Sequence, residues 1–493
     1  IGTGGSTGAE GPIVHIGAAI ASGVGQLFGF ARHQMPIIIG CGSAAGISAI
    51  FNAPIGGVIF TIEVILQDFS IRAFTPLVVA SVIANVTTRA IFAHVGDGSY
   101  QAIFAMPNQG PQAMQFINWM QVSIFALLGL LCGLIGVTLT KAMQAFEARF
   151  QKLARLGAFR PALGGALVGV LGIIFVLVFG RLLFGQPKPF NFADYPMPAF
   201  FGDGYGVIHR LLISDFYLRD PFSKLVLLLL FMCIGKIIAT CLTLASGGSG
   251  GVIAPALFLG ATAGGLLGVL LRQTGWFGDI HPELYALIGM GAGLAAVVHA
   301  PLASILILFE LTQDYRVVVP AMLATVLATG TARLIFPDSI YTHSLRLRGI
   351  KFGSASDLSV LRRMTVEQVE LVPATVVQVT DPAQRVLNLM MQLGTVTFIV
   401  VDEHGTYRGM VDSEEVNAAL LQREALAYMI VGDLMRASVP LVKTTDDLAK
   451  VFDIFSHLEV GHLPVCVPST PDKVIGLIGR SALMRTYQDA IAR

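Results

Sequence analysis

A glycine-rich motif occurs twice in this chain, as GGSTGAEGP at residues 4–12 and as GGSGGVIAP at residues 247–255. Five of the nine positions are identical, and each copy ends in a proline that opens an apolar run. The likeness continues downstream, where Gly17 matches Gly260. We infer that the chain is built from two related halves, and paired halves of this kind place a binding site between them.

A second signature follows each copy. Residues 52–54 are Asn-Ala-Pro, and Glu63 lies nine positions after this proline. Residues 299–301 are His-Ala-Pro, and Glu310 lies nine positions after that proline. A ligand or catalytic role for His299 is one interpretation, because histidine often serves as an acid–base group. We favour the other, in which both tripeptides are helix breaks whose polar groups are satisfied within the protein.

The composition indicates whether most of this chain lies in water or in a membrane. Hydrophobic residues make up 54% of the 493, only 13% are charged, and the mean hydropathy is +0.73. These values lie outside the range of soluble globular domains and predict an integral membrane protein with many spans. Apolar stretches long enough to enter or cross a bilayer lie at residues 13–30, 35–66, 73–93, 119–140, 161–184, 224–245, 251–272, 284–311 and 318–336.

Two of these stretches, 35–66 and 284–311, are interrupted by glycines and by a proline at matching places. Broken helices at membrane depth are tolerated where the freed backbone groups meet protein, water or a ligand, so we expect them to line a site. The polar connections at 94–118 and 185–222 are predicted to be surface loops without chemistry.

The sequence argues against several functional classes. The net charge is +1 and the pI is about 7.8, which gives no electrostatic basis for a nucleic-acid partner. The five cysteines show neither metal-ligand nor CxxC spacing, so we predict packed thiols and no metal site. The spans contain no HExxH or GxSxG motif, and we therefore do not expect an intramembrane enzyme.

A soluble tail follows the membrane body, since nearly half of the acidic and basic residues lie after residue 356. In the tail, short β-type runs alternate with amphipathic helical ones in two units, at residues 357–428 and 429–493. This order of elements resembles a tandem pair of CBS domains, which form a compact α+β module.

The glycine runs have a physical role at helix N-termini. Such an end presents unpaired amides and the positive end of the helix dipole, and glycine lets an anion approach them. In a membrane, amides can bind an anion weakly enough to release it, whereas a bare lysine or arginine is costly. Glycines that merely allow close helix packing are the alternative. We predict an anion cradle built from the main chain of Gly8, Ala9 and Gly11 in one half and of Gly251, Val252 and Ile253 in the other.

Glu10 is the one acidic residue within either motif, and its counterpart is Ile253. A carboxylate suits the same amide donors as an anion, so it would act as a tethered competitor for the cradle. Protonation, or displacement by an arriving ion, would swing it away and open the path. The alternative is a structural carboxylate that caps its own helix.

GAEGP at residues 8–12, GGVIAP at 250–255, the segment from Asn52 to Glu63 and the CBS-like tail together resemble the CLC family of chloride channels and proton/chloride exchangers. The resemblance implies that residues 1–350 are an all-α polytopic membrane domain of two inverted repeats with broken helices. It places the family's external gating glutamate on Glu10 and its GxFxP segment on 251–255, with Ile253 in place of the usual phenylalanine. It also implies that Tyr341 contributes its hydroxyl to the central anion site.

The resemblance further implies a homodimer that carries chloride and other small anions, with one pore per subunit, in the plasma (inner) membrane and with a cytoplasmic tail. Two departures qualify it. The family's GSGIP segment is absent, and we expect the sequence to lack several N-terminal helices. Proton-coupled members carry a second glutamate after the one at Glu63, where this chain has Val64. A valine cannot carry a proton, which favours channel-like conduction over the alternative, proton-coupled exchange.

The tail departs from the pattern of nucleotide-binding CBS pairs, which commonly carry G-x-x-T-x-x-D. The matching residues are Gly409, Asp412 and Glu415 in the first unit and Gly476, Gly479 and Ala482 in the second. Neither unit keeps the threonine. Asp412 and Glu415 are therefore candidates for adenine-nucleotide binding, but we favour a dimerising scaffold without a cofactor.

Overall fold

A computed structural model describes residues 4–31, 34–95, 104, 119–153, 157, 159–184, 198–218, 221–276, 280–347, 361, 364–394, 397–413, 415–416, 428–458 and 460–492. The chain divides into two compact units, Ile1–Lys351 and Phe352–Arg493.

The described part of the first unit is helical. Its α-helices are α1 (Glu10–Leu27), α2 (Met35–Phe51), α3 (Pro54–Phe60), α4 (Ile71–Val95), α5 (Trp119–Lys152), α6 (Phe159–Phe184), α7 (Tyr205–Leu211), α8 (Phe222–Ala245), α9 (Ile253–Thr274), α10 (Pro282–Val298), α11 (Pro301–Thr312), α12 (Val318–Ile335) and α13 (Ile340–Leu347). A π-helical turn, Thr61–Leu66, extends α3. Six stretches in the described residues are long and apolar enough to cross a membrane, at 71–93, 121–152, 159–178, 222–245, 253–274 and 318–343. The predicted helical membrane fold is confirmed.

The two halves pack in the same way, through pairs of glycines. A Cβ atom on Gly17 of α1 would lie 2.2 Å from the carbonyl oxygen of Gly42 of α2, and one on Gly42 would lie 2.1 Å from that of Gly17. Gly260 of α9 and Gly289 of α10 repeat this contact at 1.9 and 2.2 Å. Any side chain at these positions would separate the helix backbones. The matched glycines thus hold the helix that follows each motif against its neighbour.

This contact predicts a difference between two glycines of α1. Gly17→Ala should destabilise the protein by about 1–3 kcal/mol, because the added methyl group overlaps main-chain atoms that cannot move aside. Gly23→Ala is the matched control, since no atom beyond the surrounding backbone of its own helix lies within 4 Å of its Cβ position. Alanine is the better helix former by about 1 kcal/mol, so Gly23→Ala should be neutral or stabilising. Thermal unfolding in detergent measures both changes, and equal unfolding temperatures for the two variants would contradict the packing described here.

Both predicted helix breaks are observed, at Asn52 and at His299. Each residue ends its helix in the left-handed region, with φ of 52° and 61°. Arg89 Nε on α4 donates to Asn52 Oδ1 at 2.8 Å, and Arg333 on α12 donates to the His299 carbonyl at 2.8 Å. Each break therefore has a polar partner within the protein, as the helix-break interpretation requires.

Glu63 and Glu310 join the two repeats to each other. The amide of Ala303, at the start of α11, donates to Glu63 Oε2 at 2.7 Å. In the mirrored contact, the amide of Gly56, at the start of α3, donates to Glu310 Oε2 at 2.6 Å. Each carboxyl thus binds the helix N-terminus of the opposite repeat, where unpaired amides favour negative charge.

The expectation that residues 185–222 form a surface loop is wrong for residues 198–218. Phe200 is 0% exposed and Tyr217 is 1% exposed, and α7 buries Ile208 and Leu211. The glycine and aromatic content that is typical of a loop belongs here to a segment folded into the core. Of residues 94–118, the interior of the predicted loop lies outside the described residues except for Phe104, which is buried.

The second unit contains two three-stranded sheets, with strand orders β1-β2-β3 and β4-β5-β6. In each sheet the first pair is parallel and the second antiparallel. The strands are β1 (Thr375–Gln378), β2 (Thr397–Val401), β3 (Tyr407–Asp412), β4 (Val442–Lys443), β5 (His462–Val467) and β6 (Thr470–Gly479). The helices of this unit are α14 (Ala383–Leu393), α15 (Val431–Leu434), α16 (Leu448–His457) and α17 (Arg480–Ala492). The predicted α+β tail is confirmed, and residues 417–427 of its first unit lie outside the described residues.

Candidate functional site

The two glycine motifs meet and pair with each other. The amide of Gly8 donates to the Gly251 carbonyl at 2.9 Å, and the amide of Gly251 donates to the Gly8 carbonyl at 2.7 Å. Thr7 Oγ1 adds a bond to the Gly251 carbonyl at 2.8 Å. The bridge is antiparallel, as expected where two inverted repeats cross their symmetry axis. It brings the start of α1 and the start of α9 to one junction.

Glycine is required at this junction for space. A Cβ atom on Gly251 would lie 2.6 Å from the amide nitrogen of Gly11, and one on Gly11 would lie 2.9 Å from the Gly251 Cα. A Cβ atom on Gly8 would lie 1.8 Å from Glu10 Oε2. The Glu10 carboxylate therefore occupies the space that a side chain at Gly8 would take, directly beside the paired backbones.

Glu10 is the first residue of α1, and it is 0% exposed. Its Oε1 accepts a hydrogen bond from the hydroxyl of Tyr205. Its Oε2 is buried and has no hydrogen-bond partner among the described residues. The main chain of Ala254, in the first turn of α9, is close enough to act electrostatically on the carboxylate. An acidic side chain thus reaches from one repeat to the positive helix end of the other.

The structure brings together most of the residues predicted for the anion cradle. Ala9 and Val252 are the N-caps of α1 and α9, neither with a side-chain cap. Ile253 takes the place of Glu10 in the second repeat and is 1% exposed. The first-turn amides of both helices therefore point toward a shared junction without side-chain partners at the N-caps. Such an arrangement can bind a small anion or a carboxylate.

Tyr341 lies on a cavity next to the cradle. The cavity has a volume of about 230 Å³ and is lined by Gly250 and Val252 of the second motif, by Tyr341 and His343 of α13, and by four residues of α5. Those four residues lie on one face of that helix and are Thr140, Met143, Gln144 and Glu147. The Tyr341 hydroxyl is also within electrostatic range of the Glu10 carboxylate. The predicted tyrosine therefore lies between the cavity and the cradle.

Two observations indicate that this cavity is suited to polar occupants. Gln144 Nε2 is buried without a hydrogen-bond partner in the described part of the chain, and such a donor is costly unless water or an anion meets it. Glu147 and His343 place two titratable groups on the wall, close enough to interact electrostatically.

Tyr205 and Lys236 are site residues that the sequence interpretation missed. Tyr205 belongs to the segment predicted as a loop. Lys236 is the charged residue in the interior of the apolar run of α8. A lysine at such a position could have been noticed in the sequence, because a charge at membrane depth needs a specific partner. Its ammonium donates to the carbonyls of Gly202 at 2.9 Å and Asp203 at 3.2 Å.

Val64 offers no titratable group where proton-coupled relatives of the resembled family carry one. It lies in the π-helical turn and packs partly buried against the main core. Its neighbour Glu63 is bonded to α11, as described above. Neither residue lines the cavity at Tyr341.

In the tail, Asp412 and Glu415 both have internal partners. Glu415 Oε2 accepts from the Asp412 amide at 3.0 Å, and Glu415 Oε1 lies 2.6 Å from Arg436. Asp412 Oδ1 accepts from Ser413 and Thr397. Nucleotide binding by these residues stays a prediction. The five cysteines are all free, and the described residues hold no cluster of three or more histidine, cysteine or acidic side chains able to bind a metal.

Comparison with known families fits this geometry. Residues 1–333 match the family described as voltage gated chloride channel, and residues 366–422 and 431–489 each match the CBS domain. The chain belongs to the CLC family. It is therefore a membrane protein of an anion-transporting family.

Individual relatives of this CLC chain include proteins named as a chloride channel and as an exchanger. It is 33% identical to a ClcB-like chloride channel protein of Ralstonia nicotianae, over 70% of this chain and 72% of the relative. It is 30% identical to the H(+)/Cl(-) exchange transporter ClcA of Vibrio parahaemolyticus, over 70% and 67%. The crystal structure of a slow cyanobacterial Cl-/H+ antiporter superimposes with a TM-score of 0.55 at 25% identity, covering 71% of this chain and 73% of that one.

Proposed function

We propose that this CLC protein exchanges chloride for protons across a membrane, with Glu10 as both gate and proton carrier. The observation that carries the proposal is the buried Glu10 carboxylate at the junction of the two motifs, with Oε2 unbonded beside the Gly8 and Gly251 backbones. In this position the carboxylate and a chloride ion compete for the same positive helix ends.

Competition of this kind couples the two ions. An ionised Glu10 occupies the cradle and excludes chloride, whereas a protonated Glu10 has lost the charge that holds it there and yields to an arriving anion. One carboxyl group that alternates between these states moves a proton each time chloride replaces it. The relatives named as exchangers support this proposal over the channel that Val64 by itself favours.

The proton needs a second titratable group, and Glu147 supplies it in this proposal. It lies on the cavity that Tyr341 and the second motif also line, so that water in the cavity would connect it to the junction. A route through Glu147 does not involve Val64. His343 faces the same cavity and interacts electrostatically with Glu147.

The remaining features of the proposal come from the family resemblance. The protein forms a homodimer with one pore per subunit in the plasma (inner) membrane, the tail is cytoplasmic, and the CBS pair is a dimerising scaffold. Chloride is the main transported ion.

Proteoliposomes test the exchange directly. With chloride high inside, low outside and equal pH, chloride efflux through the wild-type protein should drive protons inward, so that a pH electrode records alkalinisation of the medium. Because the pH is equal on both sides at the start, protons build up a gradient only if their movement is coupled to the chloride flux. Valinomycin and potassium clamp the voltage as a control. Chloride efflux without any pH change would establish the channel and overturn the proposal.

A further inference from the structure

We propose that Tyr205 is a positioning residue that latches the Glu10 gate in the cradle, and that Lys236 holds the turn that carries Tyr205. The inference rests on the proposed role of Glu10. It adds a second group of residues, from α7 and α8, that sets how firmly the gate is held.

Lys236 is a structural clamp. It is 0% exposed, and its ammonium donates to the carbonyls of Phe200 at 3.4 Å, Gly202 at 2.9 Å and Asp203 at 3.2 Å. The ammonium also lies 5.1 Å from the ring centroid of Phe258. An ammonium has three N–H donors, and three carbonyls use them. Lys236 is therefore committed to the turn and has no donor left to bind an anion.

The clamped turn is tied to the first motif as well. The amide of Thr7 donates to the Gly202 carbonyl at 3.1 Å, and the amide of Gly202 donates to the Gly5 carbonyl at 3.1 Å. Gly202 and Gly204 have φ of 63° and 87°, a conformation that glycine adopts most readily. A Cβ on Gly204 would also lie 2.6 Å from the Phe258 ring. The turn can move only if these contacts with the motif and with Lys236 break together.

Tyr205 follows this turn directly and opens α7. Its amide donates to Asp203 Oδ1 at 3.0 Å, and its ring packs edge-on against Phe104 with centroids 5.7 Å apart. These contacts fix the ring so that the hydroxyl donates to Glu10 Oε1. Because Lys236 holds the turn before α7 and the gate is on α1, this bond links the gate to an element outside both motifs.

The latch acts on the ionised gate. A hydroxyl bond to a carboxylate is stronger than one to a neutral acid, so Tyr205 favours the closed, ionised form. The other titratable or charged groups that interact with Glu10 are Asp203 beside α7, Lys236 on α8 and Tyr341 on α13. Tyr205 differs from Asp203 and Lys236 in that its hydroxyl donates directly to the Glu10 carboxylate.

A double-mutant cycle tests the latch. Tyr205→Phe keeps the ring and removes only the hydroxyl, so the protein should fold. In the wild-type background we expect the pH of half-maximal chloride flux to rise. Without the hydroxyl bond the ionised carboxylate is less stable, so Glu10 takes up a proton, and the gate opens, at a higher pH. In the Glu10→Ala background, where no gate exists, Tyr205→Phe should leave the flux and its pH profile unchanged.

The outcomes separate the two proposals. An equal effect of Tyr205→Phe in both backgrounds, or no change in the wild-type pH profile, would overturn the latch. If Glu10→Ala itself left proton and chloride fluxes unaltered, the proposed function would fail first. Lys236→Met should shift the pH profile in the same direction and add no further shift to Tyr205→Phe. Full additivity of those shifts would remove Lys236 from the latch, and size-exclusion chromatography checks that each variant is assembled.

Discussion

Glu10→Gln is expected to abolish proton transport while chloride continues to cross the membrane. Glutamine has nearly the same shape, so the helix start and the Gly8–Gly251 bridge should survive. It cannot take up or release a proton, and it carries no charge with which to compete for the cradle. Proton flux should therefore fall to background, a loss of more than about tenfold, and chloride flux should lose its pH dependence. The chloride-driven pH change in proteoliposomes measures both.

Glu283→Gln is the matched control for this variant. Glu283 is also a buried glutamate in the first turn of a helix, α10, and is 2% exposed. Its carboxylate accepts from Ser214 at 3.0 Å and lies 3.2 Å from His281 Nδ1, away from the motif junction. Coupled transport should persist in Glu283→Gln. Proton transport that survived in Glu10→Gln would contradict the role of Glu10 as the proton carrier.

Glu147→Gln is expected to have the second large effect, which is loss of proton movement with chloride flux retained. The side chain lies on the cavity wall and outside the anion cradle, so the chloride path stays intact. Because Val64 cannot replace it, protons would lose their entry group, and the coupled flux should again fall by more than about tenfold. The proton-to-chloride ratio in the same proteoliposomes measures the change.

Glu147→Asp provides the control for chemistry at this position, since it keeps a carboxyl group on the same wall and should retain part of the coupling. Unchanged proton flux in Glu147→Gln would exclude Glu147 from the route. Loss of chloride and proton flux together would also contradict the prediction, because it would place Glu147 in the anion path.

The apolar composition predicted the membrane fold, and the repeated motifs predicted the junction for a physical reason. Close approach of two backbones at Gly8 and Gly251 excludes side chains, so glycine is required there and is visible in the sequence. The helix breaks at Asn52 and His299 are similarly marked, because the proline that follows each of them starts a new helix. Constraints of this kind restrict a single position to one type of residue, so the sequence shows them directly.

Tyr205 and Lys236 could not be placed in the same way. Tyr205 acts on Glu10 across 195 positions of sequence, and no periodicity or motif links them. The segment around Tyr205 has the glycine and aromatic content of a loop, and only its tertiary packing shows that it is buried. The isolated charge of Lys236 predicts that it has a partner, but not that the partners are carbonyls of a distant turn.

The central claim is that the Glu10 carboxylate fills the place of an anion at the junction of the two motifs. Anomalous scattering from crystals grown in bromide tests it most directly, with wild type and Glu10→Gln compared under the same conditions. The account predicts a bromide peak beside Gly8 and Gly251 in Glu10→Gln, at the position that the carboxylate occupies in the wild-type protein. A variant without bromide at that position, or a wild-type protein with bromide and the carboxylate there together, would contradict it.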